Sequence, residues 1–461
     1  MGLLGIVLSL GLLMYLAYRG ITVLILAPLL ALLALVLNGE FTLLGTYTQI
    51  FMAALGDYIV KYFPLFLLGA IFGKLMADSG SARAIAETIV GKLGPQNAIA
   101  AIVLSCGLLT YGGVSLFVVA FAVYPIAAEM FRRGDLPKRL IPAAIALGSF
   151  TFTMTAFPGT PAIQNAIPMP YFGTTPFAAP IVGIAAGLIM LIGGVVWLNF
   201  RARRASGRGE GYGDHEESAI GASAAIEGDT PSFTVALAPA VAVIILNALF
   251  TYVVIPAMDT GYLGSDKFGG VAIGDVRGIW AIIAALVFSI LLIVALNFRR
   301  LSDLKTSINT GTFGSLLPAF NTASEVGYGA IIASLPAFFL VRDAVLGLTD
   351  NPLINVAVAT NVLAGITGSA SGGMSIALEA LGDRFAEIAA SAGISEQLMH
   401  RITTLSSGGF DALPHNGAVV TLLGICGLTH RQSYADIFVV AVMIPVFATI
   451  VAIILGTVGI V

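Results

Sequence analysis

Gly112-Gly113-Val114-Ser115, followed by Ala156-Phe157-Pro158, recurs later in the chain as Gly372-Gly373-Met374-Ser375, followed by Ala412-Leu413-Pro414. Each pair lies in an apolar stretch that Gly, Ser, Thr and Pro interrupt at depth, the pattern of discontinuous membrane helices in carriers built from two repeats. The composition around them agrees. Of 461 residues 58% are hydrophobic and 10% charged, and the mean hydropathy is +0.97. That is too little polar surface to coat a water-soluble globule of this size. Roughly 20 apolar residues span a hydrocarbon core. Apolar windows fall at 2–17, 21–38, 59–76, 97–131, 140–168, 176–200, 233–256, 278–298, 312–346, 353–381, 401–428 and 435–459.

The stretch 201–232, rich in Gly, Ala, Ser, Glu and Asp, reads as a flexible cytoplasmic linker. It divides a first transmembrane repeat (1–200) from a second (233–461). Arg201, Arg203, Arg204 and Arg208 put the linker in the cytoplasm, and Arg299, Arg300 and Lys305 put a later loop there too. Arg132, Arg133, Lys138 and Arg139 follow the first Gly-Gly pair, whereas Asp383, Glu387 and Glu396 follow the second, opposed only by Arg384 and Arg401. One connector is therefore expected inside and the other outside. The windows 97–131 and 353–381 then each enter and leave on one face, as re-entrant hairpins or as pairs of full crossings. The expected fold is an all-α polytopic membrane protein of two inverted-topology repeats with re-entrant hairpins and broken helices. The first apolar run, 2–16, has no basic segment before it and reads as a retained span.

An unwound stretch survives in hydrocarbon only inside protein or beside a polar cavity. Gly112, Gly113, Gly372 and Gly373 allow chain reversal and close approach of a ligand. The hydroxyls of Thr110, Ser115, Ser369, Ser371 and Ser375 can replace water around a solute. The segments 155–161 and 411–417 align without a gap and set Thr160 opposite Asn416. Each proline should break its helix, leaving a half-helix whose free amides make an anion site at the midplane.

Few ionisable groups lie at membrane depth, where they are costly and functional by default. Asp411 and His415, four residues apart, and Glu325 are the candidates for coupling a cation, and Glu379 is expected exposed at the outer end of its helix. His400 and His430 read as solvated residues at span ends, and His215 falls in the linker. Cys106 and Cys426, the two cysteines, read as small buried hydrophobes. The net charge of −3 gives no reason to expect nucleic acid. No phosphate-binding loop, nucleophile elbow or metal-ligand spacing is present, so no enzyme, cofactor or metal site is expected.

The run Leu109-Thr110-Tyr111-Gly112-Gly113-Val114-Ser115-Leu116-Phe117-Val118-Val119, continued by Tyr124-Pro125-Ile126, resembles the GntP family of organic-acid permeases in the ion transporter superfamily. Phe157-Pro158-Gly159-Thr160-Pro161-Ala162-Ile163-Gln164-Asn165 and Ala412-Leu413-Pro414-His415-Asn416-Gly417-Ala418 support the likeness, which looks closest to the branch of D-3-hydroxybutyrate permeases. Gluconate permeases of that family carry a Pro-Val/Leu-Phe-Phe-Glu/Asp run where this chain has Gly113-Val114-Ser115-Leu116-Phe117. A short monohydroxy acid is thus the expected substrate. The resemblance implies an inverted-repeat fold, substrate at paired hairpin tips and broken helices, uptake coupled to H+ or Na+ in a bacterial-type inner membrane, and a homodimer in lipid.

Overall fold

In the computed structural model, which describes residues 2–213 and 230–461, the first repeat opens with α1 (Gly2–Tyr18) and α2 (Val23–Leu37). There follow a long helix α3 (Leu43–Asp78) and a short one, α4 (Ser81–Leu93). A 107° bend at Gly94 leads into α5 (Ala98–Tyr111), which pairs with α6 (Leu116–Arg133) as a hairpin. Next comes a broken helix, α7 (Ile141–Phe150) followed by the separate turns Phe152–Thr155, Ile163–Ala166 and Met169–Phe172, and then α8 (Pro180–Ser206).

The second repeat runs through the same series. Two helices, α9 (Phe233–Ala257) and α10 (Ile273–Asn297), precede the long α11 (Leu304–Ser334). It bends by 96° into α12 (Phe338–Leu346). A hairpin of α13 (Pro352–Thr367) and α14 (Ala370–Ser391) follows, then a broken helix of α15 (Glu396–Phe410) and α16 (Gly417–Cys426), and finally α17 (His430–Thr457). The described residues contain helices and no strand.

Helix α17 shows that the hairpins enter from opposite faces. Near its start, Asp436 accepts from Arg139 at 2.8 Å, just beyond the first hairpin. At its last residue, Thr457, the hydroxyl accepts at 2.8 Å from Asn351, which caps the first arm of the second hairpin. With 28 residues rising about 1.5 Å each, α17 separates the two entrances by roughly the thickness of a bilayer. The arms of each hairpin are closely apposed. A Cβ at Gly134 would lie 3.3 Å from the Pro95 carbonyl, and one at Gly373 would strike the Ala364 backbone.

At the centre, α3 and α11 pack antiparallel. Gly311 lies against the Ile71 backbone and Gly327 against Phe51, and a Cβ at either would press within 3 Å. Small residues let membrane helices approach this closely. Helix α3 begins sixteen residues before the hydropathy window at 59. Thr46, Thr48, Gln49 and Asp57 dilute that stretch, and a π-turn at Tyr47–Phe51 absorbs an extra residue.

The stretch expected to be a flexible linker from 201 is ordered over its first part. Helix α8 runs on to Ser206 because Ala202 and Ala205 are buried. Glu210 pairs with Arg139 at 2.6 Å, and the Tyr212 amide donates to Asp135 at 3.0 Å. Residues 214–229, with His215, lie outside the described residues.

Candidate functional site

At the first hairpin, α5 ends on Tyr111 and the chain reverses through Gly112 and Gly113. Gly113 has φ +95°, a conformation glycine adopts without steric cost. The tip is wedged among three elements: Gly112 against Ala240 of α9, Gly113 against the Pro161 ring, and Ser115 against Gly73 of α3. The Tyr111 hydroxyl donates at 2.7 Å to the Pro158 carbonyl, tying the tip to the break of its own repeat. Ser115 precedes α6 with its hydroxyl unused as a cap, and the Thr110 hydroxyl is buried with no partner.

The second tip lies four residues earlier than the repeated motif suggests. The reversal is made by Gly368, φ +65°, and by Ser369, whose hydroxyl accepts from the Gly372 amide at 3.0 Å. Gly372 and Gly373 are therefore in the first turn of α14, and so is Ser371; Ser375 follows in the next turn. Both glycines are required by contact: Gly373 abuts the opposite arm of the hairpin, and a Cβ on Gly372 would fall on the Glu325 carboxylate.

The half-helix anion sites expected after the prolines are not formed. In the first repeat the chain after Pro161 makes only two separate four-residue turns, too short to build a helix dipole. Thr160 is fully buried there, its carbonyl accepting from Asn165 at 3.0 Å. In the second repeat, α16 has a true N-terminus, but the Asn416 side-chain Oδ1 takes two of its first amides, Ala418 at 2.6 Å and Val419 at 3.0 Å. The Asn416 side-chain amide donates at 2.8 Å to Gly368. Asn416 thus latches the second break to the second tip.

Asp411 and His415 do not pair as helical neighbours, because the helix ends at Phe410 and 411–416 are turns. Asp411 Oδ1 and His415 Nε2 are each buried without a partner, and His415 faces Gly368 at the tip.

The two broken helices cross where Gly408 admits the Thr155 side chain. Arg401, fully buried, reaches from α15 into the other repeat. Its guanidinium donates to the carbonyl of Ala178 through Nε (3.0 Å) and Nη2 (2.9 Å), to that of Pro176 (3.3 Å), and to Asn165 Oδ1 (3.1 Å). These partners are neutral, so a guanidinium charge is held beside the first break. It lies within electrostatic reach of Tyr111. His400, expected to be solvated, is buried beside it, bonded to Thr174 at 2.6 Å and Asn165 at 3.2 Å. A span-end histidine reads as exposed only while the other repeat is ignored.

Glu325 of α11 is 3% exposed, and its Oε2 has no hydrogen-bond partner. Ser369 faces the carboxylate, and Tyr58 of α3 lies near it, close also to Ser375 and Thr322. The hydroxyls of Tyr58 and Ser375 are buried without partners, while Thr322 and Ser371 are 3.3 Å apart. Tyr58, absent from the sequence-based candidates, is brought in only by the packing of α3 on α11. A tyrosine in an apolar helix gives no local signal of such a role. Glu379 is exposed, as expected, but lies in the middle of α14 rather than at its outer end, and accepts from Tyr171 at 3.1 Å. Both cysteines are buried thiols.

This architecture is that of an all-helical multi-pass membrane protein. It matches the YdaH transporter of Alcanivorax borkumensis over 91% of this chain and 90% of that one, with a TM-score of 0.58 and 16% identity. MtrF of Neisseria gonorrhoeae, described as illuminating a class of antimetabolite efflux pumps, matches over 91% and 84% with a TM-score of 0.53 and 13% identity. At these identities the likeness concerns the fold. The chain belongs to the GntP family of permeases, whose family profile matches residues 1–315. It is 45% identical over 464 residues to the uncharacterized transporter YxjC of Bacillus subtilis, covering 98% of both chains. It is also 33% identical over 147 residues to the high-affinity gluconate transporter of Escherichia coli, covering 30% of this chain and 32% of that one.

Proposed function

We propose that this chain is a secondary active carrier that imports a short hydroxycarboxylate, such as 3-hydroxybutyrate, together with a proton or a sodium ion. It does so by alternating access, as a homodimer in a bacterial-type inner membrane. The observation that carries the reading is the pair of hairpins entering from opposite ends of the bundle, each tip resting on the break of its own repeat. Gates built this way open to one side each, which is what a carrier needs and a pore does not.

Thr110, Ser115 and Ser371 offer hydroxyls, and His415 a ring nitrogen, to a small carboxylate. The Arg401 charge beside the first break favours an anion. Asp411, His415 and Glu325 are the groups available for coupling. The presence of a gluconate carrier among the relatives favours a second reading, a polyol acid as substrate.

Reconstituted protein tests the proposal. Saturable counterflow of labelled 3-hydroxybutyrate, and accumulation driven by a pH or a sodium gradient, are expected. Counterflow of gluconate alone would move the assignment to the second reading. Anion flux that neither saturates nor exchanges would make the protein a channel.

A further inference from the structure

Hairpin 2 closes directly on a buried acid. Glu325 projects from α11 into the volume a side chain at residue 372 would fill, so its unpartnered Oε2 is pressed on the backbone of the first turn of α14. Among the described residues no cation lies opposite it: the groups around the carboxylate are the hydroxyls of Ser369 on the hairpin, Tyr58 on α3, and Ser375 and Thr322 beyond them. Tyr58 is the titratable group among these. Ser369 accepts from the Gly372 amide, which leaves its own O–H directed at Glu325, whereas Thr322 donates to the Pro318 carbonyl at 3.2 Å.

A buried carboxylate without a counter-charge is strongly disfavoured, and the N-terminus of α14 offsets only part of that cost. The contact with Gly372 leaves no room for a metal ion between acid and hairpin. A proton fits, because it adds no volume and the surrounding hydroxyls accept from a carboxylic acid as readily as they donate to a carboxylate.

We propose that Glu325 is a proton-operated latch for the second hairpin: the tip seats on α11 when Glu325 is a neutral acid and lifts when it is a carboxylate. Opening admits water to the anion. The proton comes from hydronium on the face where the hairpin opens: one hydronium O–H bond breaks as the carboxyl O–H bond forms, leaving water, and the reverse exchange returns the proton to water as hydronium. Gly372 is the second half of the latch. It is glycine because the acid occupies its side-chain space. In the carrier reading, on which this inference rests, the latch makes closure of the outer gate depend on a proton.

The test reads the hairpin itself and needs no substrate, so it is independent of whether the carrier reading survives. In full-length protein in lipid vesicles, Ser371→Cys serves as a reporter, with maleimide labelling followed from about pH 5 to about pH 9. The native Cys106 and Cys426 are buried. Because thiolate formation alone accelerates labelling, each rate is divided by that of Ser371→Cys/Glu325→Gln at the same pH. The ratio is expected to rise about tenfold across the range. A flat ratio overturns the latch. Gly372→Ala, whose methyl claims the place of the acid, is expected to label rapidly at every pH. Gly372→Ala/Glu325→Ala, which vacates that place, is expected to return to slow labelling, a coupling that a mere folding defect does not give. Slow labelling of Gly372→Ala alone, or fast labelling of the double variant, also overturns the proposal.

Discussion

Replacing Arg401 with methionine should destabilise the protein more than any other single polar change in the crossing of the broken helices. The guanidinium makes four hydrogen bonds to three neutral acceptors, all on the other repeat. Two of these acceptors keep other partners: Pro176 O still receives the Gly159 amide at 2.8 Å and the Asn165 side chain at 2.9 Å, and Asn165 Oδ1 still faces His400. The Ala178 carbonyl loses both donors it receives from Arg401. One newly orphaned buried acceptor costs about 1–3 kcal/mol. The other charge-assisted bonds lost add a similar amount before the relief of the guanidinium's own desolvation is subtracted, so a net loss of about 2–4 kcal/mol is expected. Arg401→Lys should fall between, since an ammonium cannot fork to Ala178 and Asn165 together. Unfolding of purified protein in mixed micelles, followed by far-ultraviolet dichroism, measures the difference. An Arg401→Met variant within about 0.5 kcal/mol of wild type would refute the view that this side chain clamps the repeats together.

Tyr111→Phe removes the bond from the first tip to Pro158 and should cost about 1 kcal/mol. Faster hydrogen exchange confined to 111–116 and 157–161 would identify that tie, and an unchanged exchange pattern would dismiss it. Asn416 does two jobs that substitutions can separate. Asn416→Ala should lose both the cap of α16, worth about 1 kcal/mol, and the latch to Gly368, whereas Asn416→Asp keeps the cap and loses only the donor to Gly368. Equal melting temperatures for the two variants would contradict that division. At the end of the bundle where α8 finishes, the hydrogen bond from Arg139 holds the Glu210 carboxyl below its usual range. Because the folded value is the lower one, this clasp is at full strength above the ordinary carboxylate range, about pH 4, and is lost as the pH falls through the folded value. Half-exposed as it is, the pair contributes at most about 1 kcal/mol. Amide exchange at 207–213 should therefore rise on acidification, and Glu210→Gln should show that raised rate already at neutral pH; an identical acid profile in the variant would assign the effect elsewhere.

Read alone, the sequence determined the solvent, the two-fold repetition and its inversion. Mean hydropathy, paired prolines and the lysine and arginine asymmetry of the connectors are local properties that no packing arrangement can reverse. It also located both breaks, where proline, which removes a helical bond, adjoins Gly, Thr or Asn, although Pro64 and Pro318 lie inside unbroken helices. Only the tertiary structure decided which atoms those breaks present. Gly372 and Gly373 look like a turn by analogy with Gly112 and Gly113, yet the turn falls on Gly368 and Ser369, because the glycines are needed for contacts with Glu325 and Ala364. Two of the free amides expected after Pro414 are taken by the Asn416 side chain. Tyr58, His400 and Arg401 join the site from helices distant in the chain. A residue's tendency to turn, break or span is written in its own chemistry, whereas its partners are set by which helices lie across from it, and that follows from the packing of the whole bundle.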